Sequence, residues 1–184
     1  MATRVKMTYQ DYLATPETNL PCELVDGELF MSAAPNVGHQ MVVGNTYRPL
    51  HAFVASRHLG MVLLAPVDVV LDKARPLVLQ PDICYVSAAR MASVGDRIEG
   101  PPDLVVEVLS AGTGGRDRAR KLGWYAQYGV RECWLVDMDS RTIEVYQLGV
   151  GVFELRGTYR PGDSLSSDVL PGFVLDPAEA FSTL

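Results

Sequence analysis

The sequence is poor in lysine and cysteine and contains no long apolar segment. No apolar run reaches the roughly 18 residues that a transmembrane helix needs, and the N-terminus opens no apolar stretch typical of a secretory signal. We therefore expect no membrane partner. The three cysteines are scattered and odd in number, which argues against a disulfide framework or a zinc site and favours a reducing, cytoplasmic location. They are Cys22, Cys84 and Cys133.

The shortage of lysine is informative because arginine is abundant. Only Lys6, Lys73 and Lys121 are lysines among 16 basic residues. Arginine stays charged in proteins, whereas the pKa of lysine shifts readily on burial. In the basic run over 116–121 the chain changes to lysine once, at Lys121. This indicates that position 121 needs an ammonium group, although one lysine in such a run also arises by chance.

Length and charge limit the classes of protein that remain. With 184 residues, 48% hydrophobic and 21% charged, the chain is long enough for a substantial core, and we expect one globular domain over residues 1–184. The net charge of −6 argues against a broad, nonspecific nucleic-acid surface, which requires clustered lysine and arginine. A local basic cleft remains compatible with this charge.

Hydrophobic periodicity and turn residues predict alternating strands and helices. A strand over 104–109, a helix from about 116 to 128 and a strand over 132–136 form a βαβ unit, which implies a parallel pair. Asp26-Gly27 predicts a hairpin, and an amphipathic helix is expected from about 39 to 58. Further strands are predicted over 61–64, 67–71, 82–86, 142–148 and 152–159, short helices at Thr8 and Asp176-Pro177, and a loop over 91–102. The expected fold is α/β (α+β), with a mixed sheet flanked by helices and added antiparallel hairpins.

Three segments place a carboxylate at or beside the end of an apolar strand, at Glu23, Asp82 and Glu107. An ionised carboxylate inside a buried strand costs several kcal/mol unless a basic partner or a bound cation compensates it. Each position also has a purely structural interpretation. Glu107 could pair with an arginine such as Arg131, and Asp82 could simply start a strand. Glu23 could be an ordinary edge-strand residue, and Lys121 could be solvated.

Asp82 and Glu107 together suggest a metal site. If their strands are neighbours, the two carboxylates lie about 4–6 Å apart, and their repulsion without a cation would be about 3–4 kcal/mol at an effective dielectric near 20. Mg²⁺ is typically held by one or two carboxylates with water and substrate phosphate. Phosphodiester hydrolysis requires an activated water and neutralised phosphoryl oxygens, and a divalent cation provides both. We therefore expect Asp82 and Glu107 to hold Mg²⁺ or Mn²⁺.

Two other features, a glycine-rich loop and three histidines, give weaker indications of a functional site. The glycine-rich loop over 110–115 has Asp117 where a dinucleotide fold needs a third glycine, and it lacks the P-loop lysine. Its backbone N–H groups could still face a phosphate at a helix N-terminus. His39, His51 and His58 are spaced by twelve and seven residues, which is no metal motif, and no histidine-based site is expected.

Several stretches in combination resemble the Uma-two family, named for an inferred restriction endonuclease activity, within the PD-(D/E)XK nuclease superfamily. The resemblance covers roughly residues 7 to 180. It implies a nuclease-like core in which Asp82 and Glu107 bind the metal, Glu23 assists from a helix or adjoining segment, and a lysine acts on water or phosphate. The matching stretches are residues 23–29, Gly38-His39-Gln40, Gln80-Pro81-Asp82-Ile83, 104–110, 121–130 and 134–137.

The sequence departs from the superfamily pattern at one position. The usual lysine follows the second acid by two residues, and Leu109 stands there. The resemblance therefore implies that Lys121, on the following helix, takes over this role. We expect Asp82, Glu107 and Lys121 to converge in one small cleft at the edge of the sheet.

The function expected from these features is a Mg²⁺-dependent (or Mn²⁺-dependent) endonuclease that hydrolyses phosphodiester bonds in nucleic acid, with DNA as the leading candidate, and that forms a homodimer. The catalytic residues would be Asp82, Glu107, Lys121 and Glu23. Two alternatives remain open. One is a noncatalytic nuclease-like domain used for binding or assembly, and the other is a phosphodiesterase acting on small nucleotides, which needs no broad basic surface.

Overall fold

The computed structural model describes residues 6–16, 20–109 and 115–182, with the backbone alone for residues 115–117. The glycine-rich loop over 110–115 therefore lies outside the described residues except for its last position. Among the described residues, no helix combines the length and the apolar character required to cross a bilayer.

Four α-helices and thirteen strands occupy the described residues. The helices are α1 (Tyr9–Leu13), α2 (Val37–Ser56), α3 (Gly115–Tyr128) and α4 (Pro177–Ala180), with a 3₁₀ helix over Ala88–Ser93. The strands are β1 (Cys22–Val25), β2 (Glu28–Met31), β3 (Gly60–Leu64), β4 (Val69–Asp72), β5 (Leu77–Leu79), β6 (Ile83–Ser87), β7 (Ile98–Glu99), β8 (Leu104–Leu109), β9 (Glu132–Asp137), β10 (Thr142–Leu148), β11 (Phe153–Tyr159), β12 (Leu165–Ser166) and β13 (Val174–Leu175).

The central element is a six-stranded mixed sheet of order β11-β10-β9-β8-β6-β3. β8 and β9 pair in parallel through the α3 crossover, as the βαβ pattern predicts, and the other neighbours are antiparallel. The mixed sheet with flanking helices confirms the expected fold class. β8 and β6 are interior strands, so their ends lie in the middle of the sheet.

A second sheet of five strands has the order β2-β1-β5-β4-β7. The predicted hairpin joins β1 and β2, and its turn residues Asp26 and Gly27 have φ values of 50° and 79°. Both values lie in the left-handed region that a type I′ turn requires. β1 pairs with β2 on one side and β5 on the other, so Glu23 lies on an interior strand and its edge-strand interpretation is wrong.

Successive side chains of β8 point to opposite faces of the sheet, and each face packs into a separate part of the core. Val106 and Val108 pack with residues of α2 in one cluster, whereas Val105 packs with Tyr125 of α3 and with strands of the five-stranded sheet in another. Residues two apart in a strand share a face, so Glu107 shares the face of Val105. Glu107 therefore points into the layer formed by α3 and the five-stranded sheet.

Some boundaries differ from the sequence prediction. α2 begins at Val37 because Asn36 caps it, its side chain accepting the His39 N–H at 2.8 Å. The helix ends at Ser56, so His58, with φ of 54°, lies outside it. The predicted loop over 91–102 contains β7 and part of the 3₁₀ helix, and β5 was not predicted. These pieces are two to six residues long, too short to show a period.

Candidate active site

Strand pairing brings Asp82 and Glu107 together. β6 and β8 pair antiparallel with Ile83 opposite Val106, and continuing this register by one residue places Asp82 opposite Glu107. The Cβ atoms of directly opposed residues are about 4.5–5.5 Å apart in such a pair. The backbone N–H of Val108 donates to Asp82 Oδ2 at 2.7 Å. The condition that the two strands are neighbours is therefore met.

Glu107 is a buried carboxylate with two partners on α3. Its relative exposure is 8%. The Tyr125 hydroxyl donates to Oε1 at 2.6 Å, and Lys121 Nζ lies 3.3 Å from Oε1 and 3.2 Å from Oε2. The basic partner is therefore Lys121. The alternative that Glu107 pairs with Arg131 is wrong, since Arg131 pairs with Asp103 at 3.4 Å.

Lys121 joins two carboxylates from different sheets. Its ammonium lies 2.9 Å from Glu23 Oε1 as well as beside Glu107, and only 16% of its side chain is exposed. Lys121 and Tyr125 are four residues apart, so they lie on the same face of α3. The interpretation of Lys121 as a solvated residue is wrong.

Glu23 reaches the site from β1 and is held by the segment that precedes Asp82. The backbone N–H of Gln80 donates to Glu23 Oε1 at 3.1 Å. The Gln80 side chain accepts the Cys22 N–H at 2.9 Å and donates to Asp68 at 2.8 Å. The Gln80-Pro81-Asp82 stretch therefore contributes to both ends of the site, through Gln80 on Glu23 and through Asp82 itself.

Burial and neighbouring charges shift the pKa values of Glu107 and Lys121. Burial raises the pKa of Glu107 to about 7, against the lowering effect of Lys121 and with further raising by Asp82 and Glu23. Burial lowers the pKa of Lys121, but the charges of Glu107 and Glu23 outweigh it and raise that pKa overall. Lys121 is therefore an ammonium at neutral pH, and it has no lone pair with which to accept a proton.

Two residues of this site were missed by the sequence argument. Tyr125 contacts Glu107, and the signal for it was its position four residues after Lys121 on one helix. His39 Nε2 lies 3.4 Å from Asp82 Oδ2, a contact that the sequence argument did not anticipate. The signal for His39 was its place in a stretch that matches the family. The hydrogen bond to Asp82, partly opposed by burial, raises the pKa of His39.

The space beside Glu107 is small. A cavity of about 40 Å³ is lined by Glu107, Lys121, Tyr125 and Arg118 among others. A water molecule needs about 10–15 Å³ of such space, so the cavity has room for water. Arg118 is ion-paired there with Glu144. Lys121 thus contacts both Glu107 and Glu23, and Glu107 and Lys121 line the small cavity. Asp82 lies opposite Glu107 in the register of β6 and β8.

The oxygen atoms that remain available fit a hard divalent cation. Asp82 Oδ2 is engaged, whereas Oδ1 accepts no hydrogen bond from the residues the structure describes. Glu107 Oε1 accepts two contacts and Oε2 one, which leaves capacity at Oε2. Within the described part of the chain, no group of three or more His, Cys, Asp or Glu side chains could hold a metal alone. Mg²⁺ and Mn²⁺ fit because they accept one or two carboxylates with water and phosphate.

Comparison with known proteins places this chain in a family. A family model named Uma2 and described as "Putative restriction endonuclease" matches residues 9–178. No curated protein matches the chain. A solved structure from Anabaena variabilis, described as a "putative nuclease belonging to DUF820", has a TM-score of 0.83 and 18% identity, covering 96% of this chain and 98% of that one. At this identity the likeness shows the fold. Since the family model spans most of its length, the chain belongs to the Uma2 family.

Proposed function

We propose that this protein is a Mg²⁺- or Mn²⁺-dependent endonuclease that hydrolyses phosphodiester bonds in nucleic acid, with DNA as its substrate. The observation that carries the proposal is the opposition of Asp82 and Glu107 at the ends of paired strands, with the Lys121 ammonium in contact with Glu107. The description of the family and that of the Anabaena variabilis protein both name nuclease activity.

Each side chain has a distinct role in this proposal. Asp82 and Glu107 hold the cation, which when bound acts as a Lewis acid and lowers the pKa of a coordinated water. Tyr125 orients Glu107 through its hydroxyl. Glu23 holds the Lys121 ammonium in place. Because Lys121 stays charged, it stabilises negative charge on the phosphate or aligns the attacking water, and it does not act as the general base.

A second candidate is the noncatalytic nuclease-like module, and one observation favours it. The basic side chains at the cavity are already neutralised, Lys121 by Glu107 and Glu23 and Arg118 by Glu144. The net charge of −6 also repels nucleic acid at long range. A phosphodiesterase acting on small nucleotides would be less affected by both features.

Single-turnover cleavage of a labelled DNA duplex and a labelled single strand, with Mg²⁺ and with Mn²⁺, tests the proposal. We expect cleavage by the wild type, a strong loss in Lys121→Ala with metal binding retained, and incomplete recovery in Lys121→Arg because guanidinium is planar and larger. Asp82→Asn should abolish cleavage, and Asp96→Asn, at an exposed position, is the matched control.

The outcomes separate the candidates. If the wild type binds metal but cleaves neither the duplex nor the single strand, the result supports the noncatalytic module. If that protein hydrolyses a small phosphodiester such as bis(p-nitrophenyl) phosphate, the result supports the small-nucleotide phosphodiesterase instead. Equal activity of the wild type and Lys121→Ala would remove the role assigned to Lys121.

The homodimer and the cytoplasmic location stay proposals as well. We expect light scattering of the purified protein to give twice the mass of one chain, 20.1 kDa. A single-chain mass at micromolar concentration would contradict the dimer without affecting the assignment of the site.

A further inference from the structure

We propose that His39 is a positioning residue that orients Asp82 so that Asp82 Oδ1 faces the cation. The inference rests on the proposed function, since it requires Asp82 to be a metal ligand. It concerns a residue that lies on the opposite side of the central sheet from Lys121 and Tyr125.

The contacts of the Asp82 carboxylate are concentrated on one oxygen. Oδ2 accepts the Val108 backbone N–H at 2.7 Å and lies 3.4 Å from His39 Nε2. Oδ1 accepts no hydrogen bond from the described residues. One hydrogen bond and one close ring-nitrogen contact on the same oxygen restrain rotation of the carboxylate, and the other oxygen is left for a cation. Groups that hold a ligating carboxylate in this way typically contribute 10–100-fold in metal affinity.

His39 itself is held firmly enough to do this. It lies in the first turn of α2, its backbone N–H is bound by the Asn36 side chain at 2.8 Å, and its relative exposure is 8%. α2 packs against the face of β8 that carries Val106 and Val108. Glu107 is thus held by α3 from one side of the sheet, and Asp82 is held by α2 from the other.

The two ring nitrogens of His39 have different surroundings. Nε2 faces Asp82, whereas Nδ1 is buried and has no hydrogen-bond partner among the described residues. The contact with Asp82 needs only an N–H at Nε2, which the neutral Nε2–H tautomer and the imidazolium both supply. The role assigned to His39 is therefore independent of its protonation state.

This asymmetry gives a sharp substitution test. A glutamine side-chain amide reaches about as far as histidine Nε2, whereas an asparagine amide reaches only the place of Nδ1. We therefore compare His39→Gln, His39→Asn and His39→Ala. His51→Gln, at an exposed position of the same helix, is the matched control. For each protein, the Kd for Mn²⁺ is measured by calorimetry, and the melting temperature is measured in EDTA and with Mn²⁺.

The expected result is a weakening of Mn²⁺ binding by about 10–100-fold in His39→Asn and His39→Ala. His39→Gln should bind within a few-fold of the wild type, and His51→Gln should be unchanged. A merely structural role would lower the melting temperature in EDTA equally for Gln and Asn and would leave the Kd of the folded protein unchanged. The Gln and Asn pair keeps the comparison valid even if His39→Ala fails to fold.

Three outcomes would overturn the inference. If His39→Asn and not His39→Gln kept the Mn²⁺ affinity of the wild type, the positioning contact would be made by Nδ1 and not by Nε2. Unchanged Mn²⁺ binding in all three His39 variants, with a wild type that binds, would remove the positioning role and leave the proposed function standing. A wild type that binds no Mn²⁺ would overturn the proposed function and the role of His39 together.

Discussion

At the scale of single residues, the site depends on one buried lysine shared between two acids. Lys121 contacts Glu23 at 2.9 Å and Glu107 at 3.2 Å. The sequence indicated that position 121 needs an ammonium, but it could not give both partners. Glu23 and Glu107 belong to different sheets, and their approach to Lys121 is a property of tertiary packing. The sequence argument missed the contact of His39 with Asp82 for the same reason, because the two residues approach each other only in the folded chain.

Removing Lys121 should destabilise the protein in the absence of metal. Lys121→Met keeps most of the side-chain volume but leaves Glu107 and Glu23 without their cation. Breaking a buried ion pair on one side typically costs about 3–5 kcal/mol. Urea unfolding in EDTA measures this, with Lys73→Met as the control because Lys73 forms an exposed pair with Glu99. A loss no larger than that of the control would contradict the structural importance of the Lys121 pairs.

The raised pKa of Glu107 predicts a pH dependence of stability in EDTA. Its folded-state pKa is about 7 against an ordinary value of 4.5, so the folded state binds a proton more tightly than the unfolded state. The stability contributed by this group is present below about pH 4.5 and is lost as the pH rises through about 7.

The matched comparison is Glu107→Gln, which lacks this titration. Between pH 5 and pH 8 the wild type should lose stability relative to Glu107→Gln. Parallel stability curves for the two proteins over this range would show that Glu107 titrates normally.

At the scale of elements, strands and helices with long periodic patterns were predictable. The βαβ unit of β8, α3 and β9, the β1–β2 hairpin and the β10–β11 hairpin all form as expected. β5 and β7 were missed because they are three and two residues long and pair only through the second sheet. That sheet also carries Glu23, which lies on β1, a strand of the predicted hairpin.

The close packing of β3 against β6 at Gly60 leads to a testable prediction. Gly60 has φ of 139°, and a Cβ there would collide with the backbone carbonyl of Val86. Gly60→Ala should therefore destabilise the protein and disturb the strand that begins beside Asp82. Gly44→Ala, in α2 with no atom near the added Cβ, should instead stabilise by up to about 1 kcal/mol. Thermal unfolding of both variants measures this, and a neutral Gly60→Ala would contradict the observed packing.

At the scale of the whole molecule, the site lies where the two sheets and two helices meet. The central sheet supplies Asp82 and Glu107, the second sheet supplies Glu23, and α3 and α2 supply Lys121 and His39. The sequence predicted the fold class and the opposed acids because both follow from strand patterns and pairing. The approach of Lys121 to the acids was expected from the family resemblance and from no local pattern. The contacts of Lys121 with Glu23 and of His39 with Asp82 appear only in the folded structure.

The proposed activity requires that Asp82 and Glu107 together form a divalent-metal site. Calorimetric titration with Mn²⁺ of the wild type, Asp82→Asn, Glu107→Gln and the control Asp96→Asn tests it most directly. We expect binding by the wild type and Asp96→Asn, a rise in their melting temperature by mass action on the folded state, and loss of both effects in the two site variants. Mn²⁺ binding that persists unchanged in Asp82→Asn and Glu107→Gln, or no binding by the wild type, would contradict it.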